Sequence, residues 1–152
     1  MRKSRSFLLY WLPVLVWMVL IFSASGDKAS FQRSSRFIVP FLHWLFPGLS
    51  DDHAFAVVLA VRKCAHLSEY ALLAWLVWRA RRKPVPRDTR PWRWSEAGEV
   101  LWVAALYAAT DEFHQTFIPN REGCLRDVLI DTTGAVAGLL LLWLLGRWRK
   151  LW

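Results

Sequence analysis

The sequence predicts an all-α integral membrane protein, in which four transmembrane helices form a compact bundle and a short interfacial or re-entrant helix lies in the first outer loop. Three observations lead to this fold class. The chain has 152 residues, of which 55% are hydrophobic. Its apolar segments, at about 7–24, 54–78, 97–117 and 125–145, are each long enough to cross a bilayer. Basic residues cluster beside these segments, as in cytoplasmic membrane loops. We expect a single domain over residues 1–152.

The formal charge of +8 would favour nucleic-acid binding in a soluble protein, but the distribution of the charge argues against that partner. Thirteen of the twenty bases lie in three places: at the N-terminus, between Arg79 and Arg93, and between Arg147 and Lys150. Because cytoplasmic loops are enriched in Lys and Arg, all three places are expected in the cytoplasm. Four spans satisfy these assignments, with the N- and C-termini both cytoplasmic.

The first apolar run, residues 7–23, has two interpretations. The small residues Ser23-Ala24-Ser25-Gly26 after it would suit cleavage of a secretory signal peptide. The run is longer than the usual signal core, however, and several aromatic side chains make it bulky. We therefore expect a retained first helix that tolerates Pro13, as membrane helices do.

The next segment, residues 26–52, contains an apolar stretch from Phe37 to Pro47 that is too short to span a bilayer. It predicts either an amphipathic helix at the membrane interface or a re-entrant segment packed on the bundle. An ordinary loop helix remains an equal alternative.

The second span carries charged residues near its middle. Each charge there costs about 2.5–3.5 kcal/mol if it faces lipid. Arg62, His66, Glu69 and Tyr70 share one helical face, because residues three and four apart are neighbours. This face must therefore meet a protein interior or a wet cavity. Lys63 lies beside it, and we expect Cys64 to be a small buried residue.

The last two spans place further polar residues at a similar depth. The third ends with Asp111, Glu112 and Gln115, and the fourth begins with Asp127 and Asp131. Three helices thus independently bring polar residues to the outer half of the membrane, which predicts one shared site open to the extracytoplasmic side. Gly134 and Gly138 predict close approach of a neighbouring helix.

Carboxylates beside histidine can supply a general acid and a general base. We assign the catalytic role to His66, Glu69, Asp111 and Glu112. Residues expected to bind substrate, through an anionic group or by lining the site, are Arg62, Lys63, Tyr70, Gln115, Arg121, Arg126, Asp127 and Asp131.

Two alternatives stay open. His66-x-x-Glu69 and Asp111-x-x-His114 resemble the ligand pairs of helical metal sites, so a divalent metal cofactor is conceivable. Buried ion pairs can also fix helix packing without binding any substrate.

The combined pattern resembles one family. Its parts are Arg62-Lys63-x-x-His66-x-x-Glu69-Tyr70, Asp111-Glu112-x-x-Gln115-x-Phe117-x-Pro119-x-Arg121, and Asp127-x-x-x-Asp131-x-x-Gly134-x-x-x-Gly138. Together they are similar to the VanZ-like family, over residues 7–145. Asn120 and Cys124 depart from its usual outer turn.

This resemblance implies a multi-pass protein of the bacterial cytoplasmic membrane and a link to glycopeptide (teicoplanin) resistance, with no established reaction. The expected function is to act on, or bind, an envelope lipid or peptidoglycan precursor at an outward-facing site. The expected partners are the bilayer and an anionic lipid-linked substrate, and a homodimer is an option. The rival is a protein of binding, transport or purely structural role, so enzymatic activity is left open.

Overall fold

A computed structural model describes residues 2–25, 30–84, 88, 90–118 and 123–152 of the chain. It contains five helices, and the described residues form no strand, so the all-α prediction is confirmed. The helices are α1 (Arg2–Ser25), α2 (Ser30–Leu45), α3 (Asp51–Arg82), α4 (Trp94–Gln115) and α5 (Leu125–Trp148).

Two helices are long and apolar enough to cross a membrane by length and composition: Phe7–Ser25 within α1, and Leu125–Trp148, which is α5. The other two expected spans, α3 and α4, carry the charged residues that lower their mean hydropathy. Four spans therefore remain a prediction, whereas the helices assigned to them are all present.

Helix α1 packs on the bundle through a narrow face. Val14 and Ile21, seven residues apart, are buried in the core. The Trp17 indole N–H donates to the Glu69 carbonyl at 2.9 Å, and the Tyr107 hydroxyl donates to the Met18 carbonyl at 2.5 Å. The helix runs through Pro13 without interruption. α1 is therefore an integral part of the packed structure.

Helices α3 and α5 run parallel and approach each other closely at two glycines. A Cβ at Gly134 would lie 2.4 Å from the Leu67 carbonyl oxygen, and one at Gly138 would lie 2.6 Å from that of Ala71. The small-residue stripe predicted from the sequence is thus where the backbones of two helices meet. This contact places the middle of α5 level with the middle of α3.

One end of the bundle is closed around Arg82, the last residue of α3. Its side chain is almost fully buried, although it is charged. It lies 3.4 Å from Asp88 and 3.7 Å from Glu96, and its guanidinium stacks over the rings of Trp78 and Trp152. The ends of α3 and α5 and the start of α4 therefore meet at this end.

Asp88 and Arg90, described residues of the connection before α4, take part in the same network of charges. The Arg90 guanidinium donates to Asp88 at 2.6 Å, and this hydrogen bond holds the pKa of Asp88 well below its usual range. Arg82 also donates to the carbonyl of Pro91 at 3.1 Å. The sequence of this segment, which is rich in prolines and bases, did not predict these hydrogen bonds.

The opposite end is extended by a hairpin of α2 and the first half of α3. With 32 residues, α3 is about 48 Å long, which exceeds the roughly 30 Å of a bilayer core. Ala54 and Val58 are completely buried on the half of α3 against which α2 packs. His43 of α2 contacts Asp51 of α3 at 3.0 Å. The predicted short helix in this loop is therefore present.

The expectation that Cys64 is buried was wrong. Its side chain is exposed, as is that of Cys124. Cys64 shares an outward helical face with the exposed Val61 and Ser68, and this face points away from the row formed by Arg62, His66 and Glu69.

Candidate functional site

A cavity of about 180 Å³ lies where the end of α1, the start of α2 and the middle of α3 meet. On α3 it is bordered by Arg62, His66 and Glu69, whose spacing of four and three residues places them on one helical face. The remaining lining residues are small: Ala24, Ser25, Ser34 and Ala65. The cavity therefore combines a guanidinium, an imidazole and a carboxylate within a wall that leaves room for a ligand.

The His66 ring connects this cavity with the interior of the bundle. Its Nδ1 lies 3.8 Å from Oε2 of Glu69 and 3.6 Å from Oδ1 of Asp131. The side chains of His66 and Glu69 are 27% and 29% exposed, whereas that of Asp131 is only 2% exposed. A buried carboxylate on α5 thus faces one ring nitrogen of a histidine that borders the cavity. Such an arrangement can orient an imidazole for proton transfer.

Asp111 is completely buried and links two helix ends. Its Oδ1 accepts a hydrogen bond of 2.6 Å from the Ser25 hydroxyl, at the end of α1. Its Oδ2 lies 3.4 Å from the Gln115 amide nitrogen, which donates to it. Asp111 therefore stands behind the cavity wall, since Ser25 lies between α4 and the cavity.

Glu112, the next residue of α4, joins α4 to the start of α5 in a comparable way. It accepts hydrogen bonds from the Gln115 amide and from the backbone N–H of Cys124, each at 3.0 Å. Gly123 makes this contact possible, because a Cβ there would lie 2.3 Å from the Glu112 carbonyl oxygen. The four residues to which the sequence assigned catalysis thus divide into two pairs. His66 and Glu69 border the cavity, and Asp111 and Glu112 hold helix ends together.

Two oxygen atoms near the centre of the bundle have no hydrogen-bond partner within the described part of the chain. They are the Tyr70 hydroxyl and Oδ2 of Asp131. Both side chains are almost completely buried, and the Tyr70 ring lies 6.2 Å from that of Tyr107. Buried polar atoms are normally satisfied, so these two mark a polar centre next to His66.

The other residues expected to bind substrate are placed less closely. Lys63 is half-buried, but it is not among the residues that border the cavity. Arg126 is exposed and Asp127 is half-buried, both in the first turn of α5. Arg121 lies outside the described residues. Among the described bases that were expected to position an anionic group, Arg62 is the one that borders the cavity.

In the sequence, His66 and Glu69, and Asp111 and His114, resemble pairs of metal ligands. Among the described residues, no group of three or more His, Cys, Asp or Glu side chains is placed to hold a metal ion. His114 stacks on Phe22 of α1, with ring centroids 4.0 Å apart. Its ring is thus part of the contact between α1 and α4.

The sequence did not single out Ser25 and Ser34 as site residues. Ser25 belongs to the run of small residues that also suits a signal cleavage site, and that run is what leaves room for the cavity at the end of α1. The sequence shows only that Ser25 lies at the end of an apolar helix. It does not show that Asp111 is the hydrogen-bond partner of Ser25.

Comparison with known proteins gives one match. The family model described as VanZ/LLP1 matches residues 7–146. No curated protein and no solved structure matches the chain.

Proposed function

Because the chain belongs to the VanZ/LLP1 family, we propose that it is a four-span membrane protein that binds the anionic head group of an envelope lipid or peptidoglycan precursor. Membership in this family, together with two helices apolar enough to span, indicates a membrane protein. The binding site in this proposal is the cavity bordered by Arg62, His66 and Glu69.

The observation that carries the proposal is the composition of the cavity wall. The planar fork of a guanidinium suits a phosphate or carboxylate group of a ligand. Arg62 borders open space, not only other side chains, and small residues keep that space clear. A purely architectural ion pair does not require a cavity beside it.

The proposed orientation, with both termini in the cytoplasm, is supported by the two ends of the bundle. Tyr10 contacts the carbonyl of Pro84 at 3.3 Å, and the ring of Trp78 lies 5.8 Å from that of Trp152, so the basic segments of the sequence gather at one end. By the positive-inside rule that end is cytoplasmic. The cavity, which lies at the end of α1, is then on the extracytoplasmic side.

The same site supports acid–base chemistry on the bound head group. His66 would exchange a proton with the ligand, Asp131 would orient the ring from behind, and Glu69 would stabilise the imidazolium. Asp111 and Glu112 would act by position, because they fix the ends of α1 and α5 that form the cavity wall. In this proposal a catalytic step is therefore centred on His66 and Glu69.

The rival role, in which the charges only fix helix packing, is supported by a different set of contacts. The hydrogen bonds of Asp111 and Glu112 are of that kind. His66 and Glu69 differ, because each keeps more than a quarter of its side chain exposed beside the cavity. The two roles thus predict different outcomes for the two pairs of residues.

The test is binding of phosphatidic acid by the full chain in lipid nanodiscs, followed by chromatography of the recovered lipid. We expect saturable binding, and a loss of about tenfold or more in affinity, roughly 1.4 kcal/mol, in His66→Gln and in Glu69→Gln. His53→Gln is the matched control, because His53 is exposed and pairs with Ser50 at 2.6 Å. A chemically altered lipid would assign an enzyme, and binding without product would assign a binding protein. Equal affinity in all variants would contradict the proposal. Sensitivity of a deletion strain to teicoplanin would test the link to glycopeptide resistance separately.

A further inference from the structure

Helix α2 presents a row of exposed aromatic side chains. Phe37, Phe41 and Trp44 are spaced by four and three residues and therefore share one face. They are 72%, 57% and 76% exposed, respectively. An apolar stripe of this kind is stable only when something covers it.

The opposite face of α2 is already occupied. His43 on this face contacts Asp51 at 3.0 Å, and the helix packs along the first half of α3. The aromatic face is therefore turned away from the bundle, while the same short helix forms part of the cavity wall. Ser34 borders the cavity and lies three residues before Phe37, so the first ring of the aromatic face is about one turn from the ligand site, and Trp44 is about 15 Å farther along the helix than Ser34.

The charge of α2 indicates what kind of surface covers its aromatic face. Its sequence contains Arg33 and Arg36 and no acidic residue. Arginine beside tryptophan and phenylalanine is typical of helices that lie in the interface of an anionic membrane, with the rings among the upper acyl chains. Leu59 of α3, in the half of that helix against which α2 packs, is also exposed.

We propose that the aromatic face of α2 docks in the anionic leaflet that surrounds the protein, and that the cavity receives its ligand laterally from this leaflet, where α1, α2 and α3 meet. The ligand is then a membrane-resident lipid with an anionic head group, and not a soluble anion. The ligand part of this inference rests on the proposed function of the cavity. The docking part stands on α2 alone.

Spin labels test the docking part directly. Single cysteines replace Phe37, Phe41 or Trp44 in a Cys64→Ser, Cys124→Ser background of the full chain, in nanodiscs that contain phosphatidylglycerol. We expect each label to collide more with oxygen, which dissolves in acyl chains, than with a water-soluble nickel complex. A label at Asp52, an exposed residue of the same hairpin, should show the reverse. Nickel access at the three aromatic positions as high as at Asp52 would overturn the docking of α2.

Binding measurements test the lateral route. The triple variant Phe37→Ala, Phe41→Ala, Trp44→Ala should lower the affinity for phosphatidic acid about tenfold, with a change of less than about twofold for inorganic phosphate. The matched control replaces Leu140, Leu141 and Leu144 of α5, which are 43%, 57% and 54% exposed, and should change neither affinity.

Two results would overturn the lateral route. One is an equal loss for both probes in the α2 variant. The other is a wild-type protein that binds inorganic phosphate as tightly as phosphatidic acid. A wild type that binds neither probe would refute the proposed function and the ligand part with it, whereas the spin labels would still decide the docking of α2.

Discussion

The Ser25 hydroxyl donates a hydrogen bond of 2.6 Å to Oδ1 of Asp111, and this bond joins the last residue of α1 to the last turn of α4. Ser25 also borders the cavity, so the buried carboxylate fixes one wall of the site without facing its interior. Asp111 is in this sense a positioning residue. The first prediction concerns the loss of this hydrogen bond between a residue that borders the cavity and a residue that holds its wall.

Ser25→Ala should destabilise the protein. The change leaves one oxygen of a completely buried carboxylate without its hydroxyl donor, which costs about 1–3 kcal/mol. The measurement is thermal unfolding of the purified protein in detergent. Ser23→Ala is the control, because its hydroxyl is exposed and bonds only within α1, and its effect should stay within about 0.5 kcal/mol. Equal melting temperatures for the two variants would show that the Ser25–Asp111 bond does not stabilise the fold.

Gly134→Ala should also destabilise the protein, here by forcing α3 and α5 apart. The new Cβ would lie 2.4 Å from a backbone oxygen of Leu67, and a backbone cannot move aside as a side chain can. Overpacking of this kind costs about 1–3 kcal/mol. Gly98→Ala on α4 is the matched control, since no atom lies within 4 Å of its Cβ. There alanine should stabilise the helix by about 0.5–1 kcal/mol. The same sign for both variants, measured by thermal unfolding, would contradict this account of helix packing.

The sequence predicted this glycine stripe because the spacing of small residues is a local property. It also predicted the row of Arg62, His66 and Glu69, which follows from helical periodicity alone. The expected membrane span, 54–78, lies within the longer helix Asp51–Arg82. Acidic residues at its start and bases at its end stabilise a helix beyond the apolar segment, so helix ends and membrane limits differ.

The contacts between distant residues could not be predicted. Ser25 meets Asp111 across 86 positions, and His66 meets Asp131 on another helix. Such pairs depend on the rotation of each helix about its axis, which apolar periodicity does not define when most faces are apolar. For the same reason, the sequence did not show that His66 and Glu69 border the cavity while Asp111 and Glu112 form hydrogen bonds at helix ends.

Arg82→Met should strongly destabilise the end of the bundle opposite the cavity. Arg82 is buried between Asp88 and Glu96, and its loss would leave two carboxylates without this partner. Removing one member of a buried ion pair typically costs about 3–5 kcal/mol. Arg81→Met is the control, because its ion pair with Glu99 is half exposed and solvent screening leaves such a pair with little effect on stability. Chemical unfolding would distinguish the two variants, and a smaller effect for Arg82 than for Arg81 would refute the structural role of this end.

The proposed orientation of the bundle predicts the outcome of reporter fusions. Fusions at Lys83 and at Trp152 should both report the cytoplasm, because the ends of α3 and α5 lie together there. A fusion near Ser50, in the hairpin beyond the cavity, should report the extracytoplasmic side. An external signal at Lys83 would place the cavity on the cytoplasmic side and would invert the proposed function.

The most direct test of the central claim compares two adjacent bases on α3. Arg62 borders the cavity, and Lys63 does not, although both were expected from the sequence to bind the anionic group. Affinity for phosphatidic acid in nanodiscs is measured for Arg62→Gln and for Lys63→Gln, each checked for folding by its melting temperature. If the cavity is the ligand site, Arg62→Gln should lower the affinity at least about tenfold, while Lys63→Gln should change it by less than about threefold. Equal effects of the two substitutions, or unchanged affinity in Arg62→Gln, would contradict the account.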